Sequence, residues 1–192
     1  MLVAITSSLL LVASLVVLFN SFLINQSKPD LARTPPGLLT DWLVYENSKY
    51  KIKVKYPKTW NYQLKDNAWG ESFVIFRPLD HQQSGAKIAI SVESMRDLIS
   101  LKEYTENFKE IILKDNEECK LIEQKDSYLL HNKAYTVVYE FKDNNKKVRK
   151  MAILSLKHKK GYIVYYEAEL YSFSKIEPVV QIFVDSLEIT NY

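Results

Sequence analysis

Alternating apolar and lysine residues mark residues 49–56, which read KYKIKVKY, as a β-strand. Successive strand side chains point to opposite faces, so one face is predicted to pack and the other to carry lysine. Pro57 ends the strand because proline has no N–H to donate, and Trp60 is predicted to fold back onto the sheet. We interpret the lysines as a solvated strand face, with a basic docking surface for an acidic partner as the alternative.

The rest of the chain after Trp60 reads as further strands, with period-two patterning or compact apolar runs. The predicted strands are 61–64, 72–76, 87–93, 119–124, 133–141, 147–156 and 162–170. The strand at 119–124 is the weakest, and a turn is predicted near 125–128. Hairpin turns are predicted at 143–145 and 159–161. The longest apolar runs lie in the last three strands, which should therefore be central.

Two helices interrupt the strands. Ser100 and Glu103 form an S-x-x-E capping box before an apolar stripe at helical spacing, which predicts a helix over 100–114. Ser174 and Glu177 repeat the pattern, with Pro178 in the predicted first turn. Strands, helix, strands and helix in that order predict an α+β fold: an antiparallel β-sheet flanked by helices as an α/β/α sandwich.

The front of the chain differs from the rest. Residues 2–24 carry no charge and are long enough to cross a bilayer, so residues 1–26 are predicted to be an N-terminal transmembrane anchor, with a cleaved export signal as the alternative. A proline-containing linker is predicted over 27–41 and the folded domain over 42–192. Lys28 and Arg33 follow the apolar segment, and the positive-inside rule read literally places the domain on the cytoplasmic side.

The composition of the chain argues against several classes of function. A net charge of +3 is too small to indicate nucleic-acid binding, and 4 glycines leave little room for glycine-rich phosphate loops. The 1 cysteine, Cys119, excludes an intrachain disulfide and is interpreted as a small core residue.

Candidate chemistry is sparse. His81, His131 and His158 lie far apart without a metal-ligand spacing, so no metal ligands are assigned. Glu167 and Glu169 lie two apart on a predicted strand and share one face, about 7 Å apart. That separation suits acid–base work or a weak cation site, but an exposed acidic patch is the favoured interpretation. No catalytic residues are assigned, and the protein is predicted not to be an enzyme.

Basic residues cluster at two predicted turns, which lie at opposite ends of a shared strand. Solvated turns are the favoured interpretation, and the alternative is a partner-binding role, with one basic end meeting membrane headgroups or an acidic protein surface. These candidates are Lys142, Lys146, Lys147, Arg149, Lys150, Lys157, Lys159 and Lys160.

An ordered set of short motifs over residues 42–189 resembles the PsbP family, the extrinsic subunit of photosystem II and its paralogues. The motifs are Tyr45-Glu46-Asn47 with Tyr50, Tyr56-Pro57-Lys58-x-Trp60, residues 73–77, Ser100-Leu101-x-Glu103-Tyr104, Ala134-Tyr135, Gly161-Tyr162 with Ala168, and residues 185–189. The membrane anchor and short loops differ from the mature extrinsic subunit, so the chain is interpreted as a PsbP-like paralogue.

The resemblance implies an antiparallel sheet flanked by helices, shared with a nuclear Ran-binding branch, and an extracytoplasmic, thylakoid-lumenal or periplasmic location. It implies a membrane-anchored, non-enzymatic accessory or assembly protein of photosystem II, with photosystem II subunits as partners. No cofactor is predicted, and calcium enters only because the extrinsic subunit supports calcium and chloride retention at the oxygen-evolving centre. The alternative is a protein-binding or sensing module of the same fold, unrelated to photosynthesis.

Overall fold

A computed structural model describes residues 41–66, 72–80, 85–95, 97–115 and 118–190 of the chain. In chain order, its strands and helices are β1 (Trp42–Asn47), β2 (Ile52–Pro57), β3 (Trp60–Asp66), β4 (Ser72–Pro78), β5 (Lys87–Ser94), α1 (Leu101–Asp115), β6 (Lys120–Leu129), β7 (Asn132–Asp143), β8 (Lys146–Lys157), β9 (Lys160–Glu169), α2 (Leu170–Asp185) and β10 (Glu188–Ile189).

The strands form two antiparallel sheets. The large sheet has seven strands in the order β3-β4-β5-β9-β8-β7-β6, and the small sheet has three in the order β1-β2-β10. β9 lies at the centre of the large sheet and is buried along nearly its whole length. Its two alternating sets of side chains therefore both face apolar cores, as expected of a strand covered on both faces. The prediction of central strands from the longest apolar runs is confirmed for β8 and β9.

Helices cover the two faces of the large sheet. On one face α1 packs Phe108 against Tyr165 of β9, with ring centroids 6.0 Å apart. On the other face α2 packs Phe183 against Phe76 of β4, with ring centroids 5.0 Å apart. The antiparallel sheet with two helices is confirmed. The small sheet, which shares the second face with α2, is an addition that the sequence did not predict.

The lysine-rich strand behaves as its alternation indicates. Ile52 and Val54 of β2 are fully buried against the large sheet, whereas the intervening lysines point outward. Trp60 begins β3 and is buried, which confirms that the chain folds back after Pro57. β2 is therefore the middle strand of a small sheet that has one face packed on the core and one face exposed to solvent.

The two predicted capping boxes have different outcomes. Ser100 Oγ accepts a hydrogen bond from the backbone N–H of Glu103 at 3.1 Å, and α1 follows directly, so the predicted Ser100 cap and the start of this helix are confirmed. The second is wrong: α2 begins at Leu170, so Ser174 and Glu177 lie inside the helix and Pro178 lies beyond its first turn. The chain passes from β9 into α2 without a loop. Both predicted cap residues are exposed on the outer side of the helix.

The hairpin turns connect β6 through β9. β6 is continuous to Leu129, so the turn predicted near 125–128 is wrong and lies instead at Leu130–His131. The turn predicted at 143–145 is confirmed, with Asn144 and Asn145 at its centre, and the third turn is centred on His158 and Lys159. Both central residues of each turn have positive φ, as two-residue hairpin loops matching the strand twist require.

The predicted anchor and all of the predicted linker except Asp41 lie outside the described residues. None of the helices that the structure describes is both long enough and apolar enough to cross a membrane.

Candidate functional site

Three charged side chains meet in the interior, on the face of the large sheet that α1 covers. Lys87 of β5, Glu167 of β9 and Lys150 of β8 lie directly opposite one another across neighbouring strands. Lys87 Nζ lies 2.8 Å from Glu167 Oε1, and Lys150 Nζ lies 2.8 Å from Oε2. All three residues are buried, and we call them the ion cluster.

Opposing effects act on the Glu167 carboxyl. Burial favours the neutral acid, but the charges of Lys150 and Lys87 outweigh burial and hold the pKa of Glu167 below its usual range. Burial lowers the pKa of Lys87, although the Glu167 carboxylate opposes that shift. Glu167 is therefore a carboxylate held between two ammonium groups, which makes it a poor proton carrier at neutral pH.

Aromatic side chains extend the ion cluster along β7. Lys150 Nζ lies 4.4 Å from the centroid of the Phe141 ring, within range of a cation–π contact. Tyr139 lies directly opposite Lys150, and burial, with a smaller contribution from the charge of Glu167, raises the pKa of its hydroxyl well above the usual value. The surroundings exclude water, which strengthens every charge interaction in the cluster.

The acidic patch predicted at Glu167 and Glu169 is wrong in its exposure. The two residues do share a face, as alternation requires, but Glu167 is buried in the ion cluster. Glu169 is mostly buried and pairs with Lys146. The reason is the central position of β9, which leaves neither of its faces open to solvent.

The basic residues around the β7–β8 turn are largely neutralised. Lys142 pairs with Glu118 at 2.9 Å, and Lys146 pairs with Glu169. Arg149 pairs with Glu140, and its guanidinium lies 5.5 Å from the centroid of the Phe173 ring. Lys147 is exposed, whereas Lys150 is buried in the ion cluster and presents no charge at the surface.

The basic residues around the β8–β9 turn have a different environment. Lys157 lies directly opposite Lys160, and Lys159 is exposed at the centre of the turn. Among the described residues, no carboxylate lies within ion-pair distance of any of these three lysines. Partner binding by either turn stays a prediction.

The histidines and the cysteine do not assemble a site. His131 and His158 are exposed in separate turns, and His81 lies outside the described residues. In the described part of the chain, no group of three or more His, Cys, Asp or Glu residues is placed to hold a metal ion. Cys119 is half-buried, and burial raises the pKa of its thiol, which reduces its reactivity.

Two surface hollows were not anticipated from the sequence. One, of about 290 Å³, lies between the β6–β7 turn and the end of α2, beside Tyr128 and Asp185. The other, of about 130 Å³, lies beside the β8–β9 turn and Leu98. The sequence did contain an indication of the second hollow, because Leu98 is an apolar residue in a loop just before the predicted helix cap.

These features define an α+β domain built on a large antiparallel sheet, with buried charge in its interior and lysine-rich turns at both ends, of which the β7–β8 turn is largely neutralised. The chain belongs to the PsbP family, whose sequence model matches residues 40–189. Comparison with curated proteins gives no match.

Solved structures share this fold at low sequence identity. Cyanobacterial PsbP (CyanoP) from Synechocystis is 15% identical with a TM-score of 0.59, and the match covers 83% of this chain and 98% of that one. The Ran-binding protein Mog1p of Saccharomyces cerevisiae is 11% identical with a TM-score of 0.54, covering 79% and 96%. LpqN of Mycobacterium tuberculosis, involved in cell envelope biogenesis, is 12% identical with a TM-score of 0.51, covering 79% and 91%. At these identities the likeness shows the fold alone.

Proposed function

We propose that this protein is a membrane-tethered, non-enzymatic accessory or assembly protein that works with photosystem II. The observation that carries the proposal is the PsbP family match, which spans nearly all of the described chain. The fold match to cyanobacterial PsbP supports it, because that chain is covered almost end to end.

The geometry supports binding rather than catalysis. The best-placed acid–base candidate, Glu167, is held ionised between two lysines in the interior, where a substrate has no access. The described histidines lie on separate turns, away from that carboxylate in the fold. By contrast, the chain presents charged turns at the surface, which suits docking to another protein.

The proposed location is the thylakoid-lumenal or periplasmic side of a membrane, with residues 2–24 as the tether. The uncharged length of that segment supports the tether, and family membership supports the side. Carbonate extraction of native membranes should leave the protein in the pellet, and sealed vesicles should protect the domain from added protease. Release into the soluble fraction would contradict the tether.

Co-purification tests the function itself. The full chain, tagged at its C-terminus and expressed in its source cell, is expected to enrich photosystem II subunits from detergent-solubilised membranes. A matched tagged protein with the same residues 1–41 and an unrelated soluble domain should not enrich them. Failure to enrich photosystem subunits above that control, or a source cell without photosystems, would contradict the proposal.

A protein-binding module unrelated to photosynthesis is the second candidate. The observation that favours it is that proteins with other functions share the fold. Mog1p is a Ran-binding protein, and LpqN is involved in cell envelope biogenesis. The same co-purification separates the two candidates, because this one predicts a reproducible partner outside the photosystem.

A further inference from the structure

A shallow groove lies at one end of the large sheet, beside the β8–β9 turn. Its volume is about 130 Å³, and its apolar part is formed by Met95, Ile99 and Leu156, which also pack against the α1 core. Leu98 stands at its edge with 85% of its surface exposed. A large apolar side chain this exposed beside an apolar floor has surface to gain from a partner.

The rim of the groove is basic. Lys157, His158, Lys159 and Lys160 line it, with Asp97 as the acidic lining residue. Lys157 and Lys160 lie directly opposite each other across the hairpin, and two like charges in that position destabilise a strand pair.

The β7–β8 turn, which has the same pattern, shows how such repulsion is relieved within the chain. There Lys142 also lies opposite Lys147, but Lys142 is paired with Glu118, and the adjacent Lys146 is paired with Glu169. At the groove, no carboxylate of the described residues lies within ion-pair distance of the lysines. A local feature that weakens the fold without compensation marks a candidate functional site.

The groove lies at the end of the large sheet opposite to the point where residues 1–40 join the domain, which favours a protein over lipid as its occupant. The described chain begins at Asp41, whose carbonyl accepts a hydrogen bond from the Lys58 amide, close to Trp60 at the β7–β8 end of the large sheet. The groove lies at the other end of β9, a strand of 10 residues, or about 30 Å away. Residues 1–40, with the proposed membrane tether, therefore join the domain at the end remote from the groove.

Two hydrogen bonds fix described residues on either side of Leu98. The backbone N–H of Met95 donates a hydrogen bond of 2.9 Å to the carbonyl of Lys159, which ties the end of β5 to the turn. Ser100 caps α1 on the other side of Leu98.

We propose that this groove binds an acidic segment of a protein partner. An apolar side chain of the segment packs on Leu98 and the groove floor, and flanking carboxylates pair with Lys157, Lys159 and Lys160. The inference rests on the proposed function in that it assumes a protein partner, but it does not assume which one.

A peptide titration tests the groove directly. The full chain in phosphatidylcholine nanodiscs is titrated with the peptide acetyl-Glu-Asp-Leu-Asp-Glu-amide, and binding is followed by methyl NMR of Leu98 and by the salt dependence of the shifts. The Leu98 signal is expected to shift. Replacing the leucine of the peptide by serine, or its acids by amides, should weaken binding about tenfold. Raising the ionic strength should weaken it too, because exposed charges are screened.

Variants of the chain locate the site. Lys157→Glu/Lys160→Glu and Leu98→Ser should each weaken binding about tenfold. The matched control Lys114→Glu/Lys120→Glu changes two exposed lysines outside both turns and should leave binding unchanged. Equal melting temperatures would show that all the variants fold.

Three results would overturn the inference. They are absence of binding, equal weakening by the Lys114/Lys120 control, and tighter binding of the protein to phosphatidylserine vesicles that depends on Lys157 and Lys160. Continued co-purification of photosystem II subunits with Lys157→Glu/Lys160→Glu would place docking elsewhere and leave the proposed function standing.

Discussion

Removal of the buried carboxylate is the most informative perturbation of this fold. Glu167→Gln preserves the shape of the side chain but leaves the ammonium groups of Lys87 and Lys150 facing a neutral amide in the interior. Breaking a buried ion pair by removing one partner costs about 3–5 kcal/mol, because an uncompensated charge remains away from water.

A second route to the magnitude gives a similar value. The folded variant can avoid an unpaired buried charge if one lysine loses its proton. At pH 7 this deprotonation costs about 1.4 kcal/mol for each pH unit below the usual lysine pKa of about 10.4, or about 5 kcal/mol in total. The loss of unfolding free energy should therefore not exceed about 5 kcal/mol per lysine neutralised. Against a total stability of about 5–15 kcal/mol for a domain, this is a large fraction.

The loss of stability in Glu167→Gln should depend on pH in a definite direction. In the variant, the folded state lowers the pKa of the affected lysine, so the unfolded chain binds more protons and stability rises with pH. The deficit relative to wild type should shrink by about 2–3 kcal/mol between pH 7 and pH 9. Urea unfolding followed by tryptophan fluorescence at the two pH values measures both quantities, because Trp60 is buried in the fold.

Two companion variants make the result decisive. Glu169→Gln removes a carboxylate on the same strand face whose partner Lys146 is largely exposed, and it should cost no more than about 1 kcal/mol. Replacing the whole cluster by Lys87→Met, Glu167→Leu and Lys150→Met should restore stability to near wild type. The reasoning is refuted if Glu167→Gln costs less than about 1 kcal/mol, or if its cost does not change with pH.

Three further substitutions test local parts of the fold by thermal or urea unfolding. Ser100→Ala should cost about 1 kcal/mol, because the Glu103 N–H loses its cap, and Ser100→Asp should retain most of the stability. Asn145→Gly should stabilise by up to about 1 kcal/mol, since φ is +64° there and glycine enters that region without strain; a loss would argue against the turn geometry. Phe183→Ala should cost about 3–5 kcal/mol, because the ring is fully buried against Phe76, and a loss below about 1 kcal/mol would contradict its place in the core.

Local patterns predicted the elements whose outcome depends on near neighbours. The alternation of residues 49–56 places β2, and the hydroxyl of Ser100 caps α1 because both signals act within a few residues. The same logic failed at Ser174, where a capping pattern occurs by chance inside a helix that begins at Leu170. There the helix extends back to Leu170, and Ser172 and Phe173, which precede the predicted cap, are buried against the core.

The ion cluster was missed although the sequence held a signal for it. Residues 161–168 read GYIVYYEA, so both alternating sets of the strand are apolar, which is the pattern of a strand covered on two faces. A carboxylate in such a strand requires buried partners. Lys87 and Lys150 come from other strands, and no local pattern indicates which lysines meet it. The same limit applies to the basic turns. Glu118 and Glu169 neutralise the β7–β8 turn by pairing with lysines distant in the sequence, and no local pattern indicates which turn they serve.

The strand order of the large sheet also has a kinetic consequence. Strands β3–β5 and β6–β9 are two consecutive meanders whose contacts are mostly local, and they join only where β5 meets β9. That junction pairs Lys87 with Glu167, 80 positions apart in the chain, so its loop closure is costly and we expect it to form late in folding. A slip of one residue at the junction would turn Lys87 to the opposite face, into an apolar core without a carboxylate. The buried charges therefore penalise wrong pairings at the step where the chain has most freedom to make them.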